Sequence, residues 1–439
     1  MSAKGTLWER SRIRLLGHLG RRERWALSDQ AICSGTNFLT NVMLARFLGL
    51  REFGVFALAW MSVLFVNSLQ SALIVAPMTS VGPKQEEKDR PSYFGAVLFQ
   101  ELVLVSLCFV LVFAALKLSV NFFRHEDLHP LAMPLAVSAF AYQMQDFFRR
   151  YFFVTRQSRR ALADDALSYL TQLPILFFLH RAGHLNSATA LWAMAGTSIL
   201  GLAVGWFWFE PIQFHWTWIK AVWWRHWKIA RWLSPSALMQ WAAGNLFTIA
   251  APVYYGPAAA GAMRASANLL GVTHLWVQGL DNVVPAEASR RLRAGGVDSM
   301  LAYTRSILIT WGGLTLLFAI ILGTAPGFWL RLMYGPQMVP YAYVLRLYAL
   351  FYVIFFLAVP LRAGLIALEF TAPIFWSYLA MTASSMTLAF PLAKWLGLSG
   401  SMIGIIGTQI LSQCIIGTAL FFRARRVARD ETLEPGFPT

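Results

Sequence analysis

Apolar stretches long enough to cross a bilayer recur along nearly the whole chain, and they leave it little choice of fold. Twelve candidate spans fall at about 26–48, 53–80, 93–116, 131–153, 162–181, 187–209, 235–255, 257–286, 302–324, 341–361, 371–393 and 399–422. Each crosses a hydrocarbon core of ~30 Å as a helix. Only 13% of the residues are charged, against about a quarter in a soluble chain. The expected fold class is all-α and polytopic.

The formal net charge is +16, which on a soluble chain suggests nucleic acid. The distribution argues otherwise. With the N-terminus in the cytoplasm, 28 Lys/Arg fall on cytoplasmic segments and seven on the opposite side, while Arg264 and Arg346 lie within spans. That split is the positive-inside pattern. It puts both termini inside, supports an even number of spans, and turns much of the charge toward anionic lipid rather than nucleic acid. Residues 1–24 are basic, but no small-x-small cleavage site follows, so the first apolar segment reads as an uncleaved span.

Connections are short, and the longest extracytoplasmic one, about residues 117–130, leaves no room for a catalytic domain. The longest cytoplasmic one reads EPIQFHWTWIKAVWWRHWKIARWLSP, Glu210 to Pro235, and nine of the 18 tryptophans lie between Trp206 and Trp241. Trp beside Lys and Arg is headgroup-layer chemistry. The expected organisation is a basic N-terminus (1–25), a six-helix lobe (26–210), an interfacial linker (211–234), a second six-helix lobe (235–422) and a cytoplasmic tail (423–439).

The halves resemble each other. GLREFG (Gly49–Gly54) joins spans 1 and 2, and GPAAAG (Gly256–Gly261) joins spans 7 and 8. Gln70 stands seven residues before Pro77, as Gln278 does before Pro285. A six-plus-six parallel repeat predicts such matches, and it predicts twelve helices in two pseudo-symmetric lobes around a central cavity.

Span 8 carries residues out of place in lipid: Arg264, Asn268, His274, Gln278, Asp281 and Asn282. On a continuous helix at 100° per residue they share one arc of about 140°. An interhelical hydrogen-bond network is the bland reading. An arginine two turns into a span more often faces a cavity or pairs. Span 1 repeats the pattern with Gln30, Ser34, Asn37 and Asn41, and Asp29 stands near its start. Two such faces meeting across the repeat axis would line the cavity. Substrate-binding candidates are therefore Arg264, Asn268, Gln278, Asn282, Asn37, Asn41, Gln30 and Arg346. Coupling-ion candidates are Asp281, Glu101 and Asp29. Asp146 is expected to pair with Arg149 or Arg150.

His125–His129 reads HEDLH, which matches a zinc-protease pattern. It sits in a short loop with Pro130 next, where no settled helix continues. Cys33, Cys108 and Cys414 lack paired metal-site spacing. There is no P-loop. No catalytic residue, metal or cofactor is expected. GLAVG (Gly201–Gly205) and GSMIG (Gly400–Gly404) should mark close helix packing.

LSDQAICSGTNFLTNVMLARFLGLREFGVFALA, Leu27 to Ala59, resembles the opening of the polysaccharide and O-antigen flippases of the multidrug/oligosaccharidyl-lipid/polysaccharide exporter superfamily. The likeness lies in Asp29-Gln30, Asn37-Phe38, Ala45-Arg46, Leu48-Gly49 and Glu52-Phe53-Gly54. GAMRASANLLG and GLDNVVPAEASRR resemble the start of the second half of the same proteins, through Arg264, Asn268-Leu269, Gly271, Asn282 and Pro285. The resemblance implies two lobes opening alternately to each side of a bacterial inner membrane. It implies a substrate built on undecaprenyl diphosphate, its lipid in the bilayer and its sugars in the cavity. Polysaccharide polymerase and export machinery become expected partners of a monomer, with no nucleic acid. Few interior arginines stand here, so the cation-lined cavity of some members is thin. A multidrug exporter of the same superfamily, or a membrane polymerase, ligase or glycosyltransferase, are the alternatives.

Overall fold

The structure, a computed structural model, describes residues 21–123 and 130–433. No strand occurs among the described residues. The first helices are α1 (Arg21–Leu48) and α2 (Leu50–Gln70), followed by a π turn at Ser71–Val75 and α3 (Ala76–Val81). Then come α4 (Arg90–Phe123), α5 (Ala132–Val154), α6 (Ser158–Arg181) and α7 (Ser187–Phe207). The chain continues through α8 (Trp216–Tyr255), α9 (Pro257–Leu270), a 3-10 turn at Gly271–Thr273 and α10 (His274–Ile307). The last helices are α11 (Gly313–Thr324), α12 (Pro326–Tyr334), α13 (Ala342–Phe356), α14 (Ala358–Ala367) and α15 (Ala372–Leu433).

Among the described residues, seven helices are long and apolar enough to cross a membrane. Two of these, Pro257–Thr324 with 68 residues and Ala372–Arg429 with 58, far exceed the ~20 residues of one crossing. Each contains a break. Gly295 and Gly296 leave helical geometry inside α10, and Gly397 does so inside α15 with φ 65°. These breaks fall where the charge and hydropathy pattern places connections between spans. Leucines, phenylalanines and valines cover the outer surface, among them Leu111, Phe178, Leu317 and Phe422. In water such a surface would aggregate; against acyl chains it is the matching face.

The described chain forms two compact units. One takes the residues up to Met43 together with Ala59–Ala237, and the other takes Leu44–Leu58 with the residues from Leu238 onward. The first unit has an aromatic core of Tyr93, Phe147, Phe148, Tyr151 and Phe152. Both G-x-x-x-G motifs mark tight approaches. A Cβ on Gly205 would lie 3.1 Å from Phe148, and one on Gly404 would lie 2.0 Å from the Phe247 ring. The Trp-rich linker and span 7 are one 40-residue helix, α8, rather than an interfacial helix followed by a separate span.

The transfer of Leu44–Leu58 to the second unit has a specific cause. The two turns expected to be repeat-related pack on each other inside that unit. Their first glycines, Gly49 and Gly256, both adopt left-handed φ, +83° and +75°, which favours glycine. Their last glycines meet. A Cβ on Gly54 would lie 1.8 Å from the Pro257 carbonyl oxygen, and one on Gly261 would lie 2.6 Å from that of Leu50. Gln337 joins the cluster by accepting from the Leu50 amide at 3.3 Å, and Arg46 donates to the Leu332 carbonyl. All these segments fall on one side of the membrane in the charge-based topology. Gly54→Ala or Gly261→Ala must move backbone, at about 1–3 kcal/mol. The melting temperature in detergent should fall by about 2–4 °C per kcal/mol. Unchanged melting in both variants would contradict this packing.

Candidate functional site

In the second unit, Arg264 and Asn268 stand one turn apart on α9, and three tyrosines converge on them. Tyr334, the last residue of α12, is wholly buried. Its hydroxyl donates to the Ala265 carbonyl at 3.0 Å and accepts from Asn268 Nδ2 at 3.1 Å. Tyr348 and Tyr352, one turn apart on α13, lie with Tyr334 within electrostatic reach of Arg264. Tyr348 is tied to Thr248 on α8. Tyr352 pairs with His274 Nε2 at 3.1 Å. Four helices and the head of α10 therefore hold one guanidinium among phenol and amide groups. That set suits an anion contacted by a planar, forked donor, with hydroxyls and amides for sugar oxygens beside it.

A 3-10 turn rotates the chain about 120° per residue, so Gly271–Thr273 turn the residues after them by about 60° from the continuous-helix positions, which keeps them within one arc with Arg264 and Asn268 and puts His274 against Tyr352. Gln278 is exposed. The side chain of Asn282 lies outside the described residues, as does His125–His129. Asp281 makes a two-oxygen ion pair with Arg362 Nη2 at 2.9 and 3.0 Å, and Arg362 Nη1 donates to the Tyr378 hydroxyl. Arg346 is exposed and donates to the Gly323 carbonyl at 3.3 Å. It stands about 200° and 240° around α13 from Tyr348 and Tyr352. Arg264 and Arg346 therefore do not share a face. Arg362 instead lines a cavity of about 310 Å³ with Gln240, Tyr378, Gln409 and Ser412.

In the first unit the structure joins residues that the sequence separates. Arg149 Nη2 lies 3.0 Å from Asp29, its Nε 2.7 Å from Asp165, and its Nη1 3.6 Å from Asp146. Arg150 also reaches Asp146, so both pairings anticipated for Asp146 occur. Cys33 donates to Asp165, and Gln145 bridges Asp165 and Ser168. Asp164 is wholly buried, with neither carboxylate oxygen hydrogen-bonded. Its Oδ1 lies 3.1 Å from where a Cβ on Gly201 would be, so that glycine also makes room for a carboxylate. Asp29, Cys33 and Asp165 offer donor atoms within 4.8 Å of one another, a spacing a metal ion could use. The Arg149 guanidinium already supplies positive charge there.

A second line of polar groups leads away from this cluster. Asn67 Nδ2 donates to Asp146, Gln143 and Gln70, and Gln70 Nε2 donates to wholly buried Glu101 at 2.8 Å. On α1 the buried stripe is Asp29, Cys33, Thr36 and Thr40, with Gln172 bonded to Thr40. Gln30, Ser34, Asn37 and Asn41 form the adjacent face. Gln30 donates to Ser34, Asn41 donates to the Asn37 carbonyl, and Asn37 is exposed.

Sequence reasoning missed Tyr334, Tyr348, Tyr352, Arg362, Asp164 and Asp165. Two pairs among these carried a signal. Tyr348 and Tyr352 share a helical face by spacing, and consecutive aspartates opening an apolar span are costly enough to need partners.

No protein-family model matches the sequence, and no curated relative does. Solved structures match nearly end to end. An inward-facing multidrug resistance MATE family transporter of the MOP superfamily superposes with TM-score 0.74 at 11% identity, covering 91% of this chain and 96% of that one. The lipid II flippase MurJ, in an inward closed conformation, gives 0.65 at 14%, covering 93% and 90%. A MOP superfamily transporter from Pyrococcus furiosus, described by the reversed polarity of its binding pocket, gives 0.61 at 12%, covering 91% and 93%. The chain has the fold of these membrane transporters.

Proposed function

We propose that this chain is a transporter of the MOP superfamily that moves an undecaprenyl-diphosphate-linked oligosaccharide across a bacterial inner membrane for surface polysaccharide synthesis. It does so by alternating access through twelve spans in two lobes. The observation that carries this reading is the Arg264–Asn268 pair set among three tyrosines. A diphosphate entering low dielectric needs a fixed cation, and the sugars need the hydroxyl and amide groups that surround it. The fold supports transport in general, since its neighbours include a lipid II flippase and multidrug resistance transporters. Asn37, Asn41 and Gln30 offer further sugar contacts from α1. Asp29 and Glu101, at opposite ends of the buried network of the first unit, are the groups for a coupling cation. Asp281, held by Arg362, is assigned a structural role.

The test is a deletion strain in which lipid-linked oligosaccharide is located by face. Accumulation on the cytoplasmic face supports the reading. Normal distribution with raised sensitivity to cationic drugs supports a multidrug exporter instead, a reading favoured by the 0.74 superposition on a MATE transporter.

Topology is tested independently. Single cysteines in a cysteine-free background should be labelled from the cytoplasm at residues 211–234 and after Arg423. Those in Gly49–Gly54 and Gly256–Gly261 should be labelled from outside. Labelling of Trp224→Cys from outside would overturn the orientation.

A further inference from the structure

The first turns of α8 close a groove that neither the tyrosine ring nor the acidic cluster uses. Ile219, Val222, His226 and Ala230 form the buried stripe of this helix. Beside the stripe lies a cavity of about 270 Å³. Its walls are Leu73 and Ile74 from the π turn, Leu104 and Leu107 from α4, and Trp223 and Trp227 from α8. Leu107, at 54% exposure, stands at the open rim.

Two polar side chains line the same groove. Gln100 and His226 are 4% and 2% exposed, and neither Gln100 Nε2 nor His226 Nδ1 has a hydrogen-bond partner. The Tyr93 hydroxyl lies 3.0 Å from His226 Nε2. Burial, reinforced by Arg225, pulls the His226 pKa down to about 4, so the ring is neutral at neutral pH. In the tautomer where Tyr93 donates to Nε2, Nδ1 carries the proton. The groove then holds two unmet donors, Gln100 Nε2 and His226 Nδ1. Leaving such buried groups unmet is unfavourable.

The outer flank carries charge. At 100° per residue, Trp223 and Trp227 lie about 60° and 100° around α8 from His226, and Lys220 and Arg231 about 120° and 140°. All four are exposed. Lys220, Trp223, Trp227 and Arg231 thus form one ridge beside the apolar opening, with a cation at each end and indoles between. Indole and cation together are the side chains of the headgroup layer.

We propose that this groove binds an anionic phospholipid of the cytoplasmic leaflet. One acyl chain enters the cavity, the ester carbonyl accepts from Gln100 and His226, and the phosphate lies on Lys220 and Arg231. The unmet donors decide between occupants, because an isoprenoid chain has no acceptor to place there and an acyl ester does. The site shares no residue with the Arg264 cluster and does not depend on the transport reading.

The test is native mass spectrometry of the purified full chain in detergent. The probes are diacyl phosphatidylglycerol, its dialkyl-ether analogue, phosphatidylcholine and undecaprenyl phosphate. Diacyl phosphatidylglycerol should be retained best. The ether analogue, and Gln100→Leu with the diacyl lipid, should each bind about fivefold weaker, the effect of one or two lost hydrogen bonds. Leu107→Trp should block retention, and Lys220→Gln with Arg231→Gln should erase the preference over phosphatidylcholine. Equal binding of ester and ether lipids would overturn the proposal. So would preferential retention of undecaprenyl phosphate, which would make the groove an isoprenoid site. Wild-type retention by Gln100→Leu refutes it even if Leu107→Trp fails to fold.

Discussion

Arg264→Ala should abolish export while leaving membrane insertion intact. The guanidinium stands where α9 meets Tyr334, Tyr348 and Tyr352. Truncating one partner of a buried, charged, hydrogen-bonded pair costs about 2–5 kcal/mol. At ~3 kcal/mol, transport falls more than a hundredfold at limiting substrate. Arg264→Lys should rescue in part, because a point charge keeps the attraction and loses the fork. Asn268→Ala and Tyr334→Phe should cost less, about 1 kcal/mol each, as neutral hydrogen bonds. The matching control is Leu317→Ala, on the outer apolar surface at 54% exposure, which should transport normally. Leu270 lies on the far side of the continuous-helix arc, yet it is wholly buried, and truncating it would open a cavity. A folded Arg264→Ala protein exporting at the wild-type rate would remove this residue from the site.

Arg149→Ala should damage folding rather than transport alone. Its guanidinium contacts Asp29, Asp146 and Asp165 together, and buried Asp164 lies beside them. Removing the cation leaves carboxylates crowded at low dielectric, which costs about 3–5 kcal/mol for a single broken pair. The melting temperature in detergent should drop by about 6 °C or more. Asp165→Asn added to Arg149→Ala should restore part of that loss, because it removes one of the stranded charges. An additive double variant would show that the two residues do not interact.

Local chemistry was legible in the sequence, and long-range chemistry was not. The turns GLREFG and GPAAAG were readable as a pair because each carries its own glycine geometry. Arg264 and Asn268 were readable because four-residue spacing fixes a shared helical face. So was the pairing of Asp146 with Arg149 and Arg150, three and four residues away. The 3-10 turn at Gly271–Thr273 was not legible, because a single glycine does not announce one. The remaining partners lie far off in the chain: Tyr334 is 66 residues from Asn268, Arg362 is 81 from Asp281, and Asp165 is 132 from Cys33. Nothing in a one-dimensional pattern joins such residues until helices pack. The linker shows the reverse case. Its tryptophans and cations were visible at once, but the groove behind them needed α4 and the π turn in place.

The most direct test of the central claim uses purified protein in proteoliposomes loaded with a fluorescent polyprenyl-diphosphate oligosaccharide. Access of an external glycosidase to the sugar reports the face on which it stands. The account predicts that sugar protected inside becomes accessible in a protein-dependent manner, that Arg264→Ala vesicles remain protected, and that Leu317→Ala vesicles behave as wild type. Protection unchanged by the wild-type protein, in vesicles where the same preparation moves a lipophilic cation, would contradict it.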